Sequence, residues 1–204
     1  MVHIAVRKLV DPTDEQVETA VRILSNTFQD DVGMSSFSGG SSRVQRDIYR
    51  RTIKACLARG EVYFGLVDDE PHGVAALIGP GVDWAFYEQD DFTRDLSSYL
   101  KEWYTCHYAP VYEDLYRAAF TAGQRARRDA WNLKFLAVEP AYQSKGLGRA
   151  LLRAICQRCR LFVELIHPPS LLSSSSLRHP SFRLLIRQAE FTPVLHLAPY
   201  TPLL

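Results

Sequence analysis

The stretch from Leu133 to Leu152 restricts the fold more than any other part of the chain. Leu133-Lys-Phe-Leu-Ala-Val138 is an apolar run of strand length, closed by Glu139-Pro140. Further on, Leu147, Ala150, Leu151, Ala154 and Ile155 recur at helical spacing, and Arg149, Arg153 and Arg158 fall on the wetter side. Between strand and helix lie Gly146 and Gly148. A strand that passes through a glycine-bearing loop into an amphipathic helix leaves the helix's first amides without an intrahelical acceptor, and the aligned peptide dipoles add partial positive charge. Glycine keeps a Cβ out of the way of anything approaching that backbone. Such a loop suits a phosphate or pyrophosphate, with Lys145 and Arg149 placed to add charge. A tight turn at a helix start would account for the glycines, but not for the whole strand-loop-helix order.

Three phosphate-binding patterns compete for this segment. A Walker A loop needs G-x-x-x-x-G-K-[ST], and the sequence has no such run. A dinucleotide fingerprint, G-x-G-x-x-G, finds Gly146 and Gly148 but Leu151 in place of the third glycine. Glu164 stands near the spacing of a ribose-binding acid, yet too little chain follows for the rest of a doubly wound sheet. The third pattern is Q/R-x-x-G-x-G/A, and Gln143-Ser144-Lys145-Gly146-Leu147-Gly148 matches each defined position. With the preceding Leu136-Ala137-Val138-Glu139-Pro140, the segment resembles the GNAT superfamily of N-acetyltransferases. The resemblance covers roughly residues 3–160.

The rest of the chain reads in the same order as that superfamily. His3 to Val10 is a strand. Asp11-Pro12 opens a helix, with Asp11 as N-cap and Val17, Ala20, Val21, Leu24 and Phe28 on one face. Asp30 to Ser42 reads as a Gly/Ser-rich loop. A second helix carries Val44, Ile48, Thr52, Ala55 and Cys56 and stops at Gly60. Glu61–Val67 and Gly73–Ile78 form a hairpin around the 68–72 turn. A polar, aromatic-rich excursion spans about 83–130; Phe92, Leu96, Tyr99, Leu100 and Trp103 have helical spacing, and Pro110 separates a second short helix. After Arg160 the pattern changes: Leu161–Ile166 reads as a strand, followed by a Ser-rich segment, a short helix over 181–188 and a last strand over 191–197. That ending is either a divergent folded version of the superfamily's usual one or the product of a shifted reading frame or retained intron. The expected architecture is α/β, a mixed, mostly antiparallel central sheet flanked by helices, with a helical insertion before the coenzyme-binding strand. One domain spans 1–166, and 167–204 is a divergent low-complexity tail, in or out of that domain.

Composition narrows the function classes. The 24 basic and 23 acidic residues leave a net charge of +1, which gives no pull toward nucleic acid or an anionic membrane. The start lacks a signal-peptide run and no apolar stretch is long enough to span a bilayer, so a cytoplasmic or nuclear protein is expected. Cys156 and Cys159 form a single C-x-x-C without a second ligand pair, and Cys56 and Cys106 stand apart, so no metal site is expected and the thiols read as reduced.

The GNAT resemblance implies acetyl-CoA as co-substrate. Its pyrophosphate would sit on amides from Gln143, Ser144, Lys145, Gly146, Leu147, Gly148 and Arg149. Its pantetheine arm would pair with the strand at Leu136, Ala137 and Val138. An amine on a small molecule or peptide would attack the thioester directly in a ternary complex, with a strand amide near Leu136–Val138 stabilising the oxyanion. Glu139, Glu61 and Asp83 are possible bases, each equally readable as a structural or solvated carboxylate, and no catalytic residue is assigned. Trp84, Phe86, Tyr87, Trp103, Tyr104, His107 and Tyr108 are candidates for an aromatic acceptor pocket, although helical spacing favours the core for Tyr99 and Trp103. Arg125, Arg127 and Arg128 read as solvated, or else as facing an acidic substrate or a coenzyme phosphate. The superfamily often carries a tyrosine on a later helix to protonate the departing thiolate; no tyrosine falls in 181–188, and Tyr200 comes too late. Two other functions remain open: a non-catalytic acyl-CoA-binding or regulatory module, and a nucleotide-dependent oxidoreductase.

Overall fold

The computed structural model describes residues 3–82, 84, 96–119 and 125–166. The chain begins with strand β1, Ile4–Lys8, and helix α1, Asp14–Thr27. The α1 cap is Thr13, not Asp11. The Thr13 hydroxyl accepts from the Gln16 amide while the Gln16 side chain accepts from the Thr13 amide, a reciprocal box that a Thr-x-x-Gln spacing makes available. Asp11 instead turns the chain with a φ of 45°. The Gly/Ser-rich stretch expected to be a loop holds a short helix, α2, Val32–Ser38. Asp31 caps it, and Gly39 closes it in the left-handed conformation. Helix α3, Ser42–Arg59, follows and passes directly into strand β2, Gly60–Val67.

Asp68 and Asp69 both take positive φ, 50° and 69°, and turn β2 into β3, Glu70–Ile78, through a two-residue connection that matches strand twist. The β2–β3 register passes from Gly65↔Gly73 to Leu66↔Pro71, which leaves His72 as the extra residue of a bulge. Next among the described residues come α4, Ser98–Trp103, a π-helical turn Tyr104–Tyr108, α5, Ala109–Ala119, and α6, Arg125–Asp129. Pro110 was expected to separate two helices. Instead the helix runs on, and the turn before the proline widens: the Ala109 amide reaches the Tyr104 carbonyl. Pro110 has no N–H to donate and crowds the carbonyl four residues back.

Strand β4, Asn132–Val138, leads through a single 3₁₀ turn, Pro140–Tyr142, to helix α7, Leu147–Ile166. The strand expected over 161–166 is the last part of this helix. No glycine or proline interrupts the run before Pro168, and a short apolar segment fits either element by pattern alone. The tail over 167–204, with the expected helix and last strand, lies outside the described residues.

The four strands pair antiparallel in the order β1-β2-β3-β4. One sheet face carries Val62, Phe64, Leu66, Val74, Ala76 and Ile78 against α1 and α3, and α2 packs on α3. The other carries Tyr63, Ala75 and Leu77 against Leu151 and Ile155 of α7. Leu147 and Leu151 are 1% and 0% exposed, a stabilisation of about 1.5–3 kcal/mol each. They reach that depth because Gly65 and Gly73, opposite each other on β2 and β3, lie beneath them. A Cβ on Gly65 would come within 2.9 Å of Leu147, and one on Gly73 within 3.1 Å of Leu151. The start of α7 is thus seated on two glycines, directly beyond the end of β4. No described helix is long and apolar enough to cross a membrane.

Candidate functional site

The segment from Leu136 to Arg149 forms one continuous surface at the end of the sheet where β4 meets α7. The Glu139 amide donates to the His72 carbonyl at 2.9 Å, so residue 139 faces β3. Antiparallel alternation then turns the backbone groups of Ala137 toward β3 and those of Leu136 and Val138 toward the opposite edge. Gln143 Nε2 donates to the Val138 carbonyl at 2.9 Å, consistent with that edge. Among the described residues, no strand pairs with it. Ala137 is buried against the α1–α3 side, while Leu136 and Val138 pack toward α7. Between Ala76↔Phe135 and Leu77↔Leu133 the β3–β4 register skips Lys134, a second bulge that bends β4 midway. Lys134 Nζ donates to the Trp84 carbonyl at 3.3 Å.

Beyond the strand, Ser144 and Gly146 take φ of 61° and 95°. The first bond of α7 runs from the Ala150 amide to the Gly146 carbonyl at 3.0 Å. Among the described residues, the amides of Ser144, Lys145, Gly146, Leu147, Gly148 and Arg149 donate to no protein acceptor. Ser144, Lys145, Gly146 and Arg149 are exposed, while Leu147 points into the core as the anchor. The donor set suits an anion, since residues 143–149 contain no carboxylate and two cations. The two glycines differ. At Gly146 the backbone itself demands glycine. At Gly148, among the described residues, a Cβ would meet only Val138, at 3.7 Å, so the fold tolerates a side chain there.

A polar cluster holds this loop from behind. Glu139 is 7% exposed; its Oε1 accepts from Arg22 at 2.5 Å and Asn26 at 2.8 Å, and its Oε2 from His72 Nδ1 at 2.8 Å. Burial pushes the Glu139 carboxyl up, but the bonds from His72 and Asn26 and the charge of Arg22 outweigh it and hold the group below the usual carboxylate range. The His72 ring stacks on Tyr142 with centroids 3.6 Å apart. The sequence reading missed His72, Asn26, Arg22 and Tyr142. No spacing links them, and only the glycines of the hairpin hinted that another element lay close to β2 and β3.

Neither described carboxylate proposed as a base is free to act as one. Glu139 is engaged at both oxygens. Glu61 lies at the opposite end of the sheet, near Asn132 and Ile78, and accepts from Lys8 at 2.7 Å, Arg158 at 2.9 Å and the Tyr63 hydroxyl. Burial raises the Glu61 carboxyl and those three bonds together lower it further, leaving it below its ordinary range. Asp83 lies outside the described residues, as do Phe86, Tyr87 and Phe92. An open hollow lined by Lys8, Leu9, Pro12, Lys54 and Leu57 is at the Glu61 end, away from the loop.

The described aromatics of the insertion pack together rather than line a cavity. Phe37 meets Trp103 at 6.1 Å and Tyr108 at 4.9 Å, and the Tyr104 hydroxyl donates to the Phe37 carbonyl, which docks the insertion on α2. Tyr99, expected in the core, is 77% exposed: it lies off the Leu96–Leu100–Tyr104 stripe that faces inward. His107 is exposed, as are Arg125 and Arg128; the Arg127 side chain lies outside the described residues. Burial pushes the Cys56 thiol up to about 12 and the Cys159 thiol up to about 11, so neither supplies a thiolate near neutral pH. Among the described residues no group of His, Cys, Asp and Glu could hold a metal ion. A dinucleotide fold would put its glycine loop on a parallel strand-helix-strand unit, whereas every described strand pairs antiparallel.

Comparison with known proteins gives the following. No curated protein matches the chain. Ten chains of solved structures match it, among them the following three. One is a protein of Desulfovibrio desulfuricans assigned to the GNAT family, at 18% identity over 78% of this chain and 68% of that one, TM-score 0.41. Another, from Corynebacterium glutamicum, is described as histone acetyltransferase HPA2 and related acetyltransferase, at 16% identity, 76% and 71% coverage and TM-score 0.47. The third, from Pyrococcus horikoshii, is assigned as an acetyltransferase, at 17% identity, 91% and 88% coverage and TM-score 0.44. Residues 80–167 match the acetyltransferase (GNAT) family. That match takes in β4, the glycine loop and α7, the same unit that carries the Gln143–Gly148 motif and the amides without a described acceptor, and it spans somewhat less than half of the chain.

Proposed function

We propose that the protein transfers an acetyl group from acetyl-CoA to an amine on a small molecule or peptide. The observation that carries this reading is the run of amides from Ser144 to Arg149 with no acceptor among the described residues, at the start of a buried helix. A pyrophosphate supplies the acceptors that those amides lack, and Lys145 and Arg149 add charge at its rim. The outward backbone groups of Leu136 and Val138 suit the amide-bearing pantetheine arm, which pairs like an added strand. The thioester supplies an activated acetyl group. This chain's part is to hold it against β4, where a strand amide near Leu136–Val138 can donate to the oxygen that gains charge as the acceptor nitrogen attacks. The acceptor loses its proton to solvent or to a base that neither Glu139 nor Glu61 provides.

The test is calorimetry with acetyl-CoA, followed by a panel of amines and peptides with release of free thiol as the readout. Saturable binding with thiol release on one acceptor class is expected. Binding without transfer to any amine would make the protein an acyl-CoA-binding module, and no binding at all would remove the cradle.

A further inference from the structure

Given that the 143–149 loop cradles a coenzyme, as proposed above, we infer that Glu139 is the positioning residue of that loop. Its buried carboxylate locks the loop to both α1 and the β3 bulge. The Glu139 side chain meets two elements distant in sequence. One oxygen takes Arg22 and Asn26, one turn apart on α1, and the other takes His72. Glu139 is bound to His72 a second time, since its backbone amide donates to the His72 carbonyl. A carboxylate can only accept, so the facing Nδ1 carries a proton and the ring orientation is fixed.

The fixed ring is what reaches the loop. His72 stacks on Tyr142, within 11° of parallel, and Tyr142 immediately precedes Gln143. The Tyr142 ring in turn lies 5.4 Å beneath the Lys145 ammonium, whose Nζ also donates to the Ala141 carbonyl at 2.7 Å. A continuous series of contacts therefore runs from α1 through Glu139, His72 and Tyr142 to Lys145, inside the free-amide run. The β3 bulge makes it possible. His72 is the residue that the β2–β3 register leaves over, so its side chain is turned out of the regular pleat. Glu61 shows what the same residue type does without this arrangement. It is just as buried and meets two cations of its own, Lys8 and Arg158, but it sits at the other end of β2 and touches nothing in the loop.

Calorimetry with CoA on the full chain tests the assignment. Glu139→Ala removes all three side-chain tethers, leaving only the backbone bond to His72, and should weaken binding about tenfold or more, the scale on which loss of orienting groups weakens a ligand site, while the circular dichroism spectrum is retained. Glu139→Gln should recover part of that loss, because the amide oxygen still accepts from Asn26 and the amide nitrogen can donate to His72 after a tautomer change. Tyr142→Leu removes only the ring that receives His72 and should weaken binding several-fold; it carries the test if Glu139→Ala does not fold. Glu61→Gln, a buried-carboxylate loss away from the loop, should leave CoA affinity unchanged. Wild-type affinity in a folded Glu139→Ala or Tyr142→Leu protein, or an equal loss in Glu61→Gln, would overturn the assignment. Failure of the wild-type chain to bind CoA would instead remove the coenzyme reading, and this role with it.

Discussion

Two pairs of glycines meet at the first turn of α7 and do opposite things. Gly65 and Gly73 lie beneath the turn, on paired strands, where a Cβ would strike Leu147 and Leu151. Gly146 and Gly148 lie in front of it, where among the described residues a Cβ would meet nothing closer than 3.7 Å. The first pair is empty space that the protein fills with its own leucines. The second is space that the protein leaves open. A glycine at a helix start therefore marks a ligand only when the fold has no use of its own for the missing side chain, and Gly148 is the one that meets this condition.

The strongest test of this contrast is Gly65→Val. The added branches have no room between β2 and the α7 leucines, so the helix must rise from the sheet. Overpacking of this kind costs about 1–3 kcal/mol, and the buried position of Leu147 argues for the upper end. Chemical denaturation should show a lowered midpoint with CoA affinity reduced as well, because the amides move with the helix. A Gly65→Val protein as stable as wild type would show that α7 is not seated where the contrast requires.

The far half of α7 is held by charge instead of shape. Arg158 donates to Glu61 beside Lys8, and the net effect of these partners is to keep Glu61 below the usual carboxylate range. A carboxyl lowered by folding stabilises the native state above its unfolded value, near 4.3, and that contribution disappears as pH falls through the lowered folded value. Glu61→Gln should cost about 2 kcal/mol at neutral pH, on the scale of hydrogen bonds to charged groups. The gap from wild type should close under acid. A pH series of urea melts reads both effects. Some acid dependence should persist in the mutant, because Glu139 is shifted in the same direction.

How much of this was legible in the sequence follows the range of the interactions. The strand, loop and α7 could be read because their signals are local: an apolar run, two glycines and a helical repeat within twenty residues of chain. The residues proposed to hold the coenzyme, Leu136–Val138 and Gln143–Arg149, lie within that same stretch. What holds the block could not be read. Glu139 is 67 residues from His72 and 113 from Asn26, and no periodicity connects them. Pattern also failed where two elements fit equally well. Residues 161–166 continue a helix instead of starting a strand, and Thr13 outcompetes Asp11 as a cap because Gln16 completes its box. Pro110 was read as a break, but a π turn absorbed it.

Returning to the open pair, Gly146→Ala should have a smaller effect than either substitution beneath the helix. Its φ of 95° is a conformation that L side chains rarely adopt, with a penalty of about 1 kcal/mol at the low end of such strain. The loop can relieve part of that by moving, because among the described residues, its chain neighbours aside, no atom lies closer than 3.9 Å to the new Cβ. A small drop in melting temperature and a clear loss of CoA affinity are expected together, since relief of strain moves the amides. A loss of stability with full affinity would mean that the loop's conformation matters to the fold alone.

Gly148→Ala should be the mildest change of all to stability and for that reason the most informative about the ligand. Its Cβ would stand 3.7 Å from Val138, an ordinary contact, and the backbone there needs no positive φ. Alanine is also about 1 kcal/mol better than glycine inside a helix, although that advantage shrinks in a first turn. Stability should therefore stay within about 0.5 kcal/mol of wild type. CoA affinity should still fall, and Gly148→Asp should lower it further by bringing a negative charge to the place where a pyrophosphate would rest. If both substitutions leave affinity unchanged, Gly148 serves neither fold nor ligand, and the anion does not approach α7 from the front. A loss in affinity without a loss in stability would separate the open pair from the filled one by experiment, as their surroundings already do by geometry.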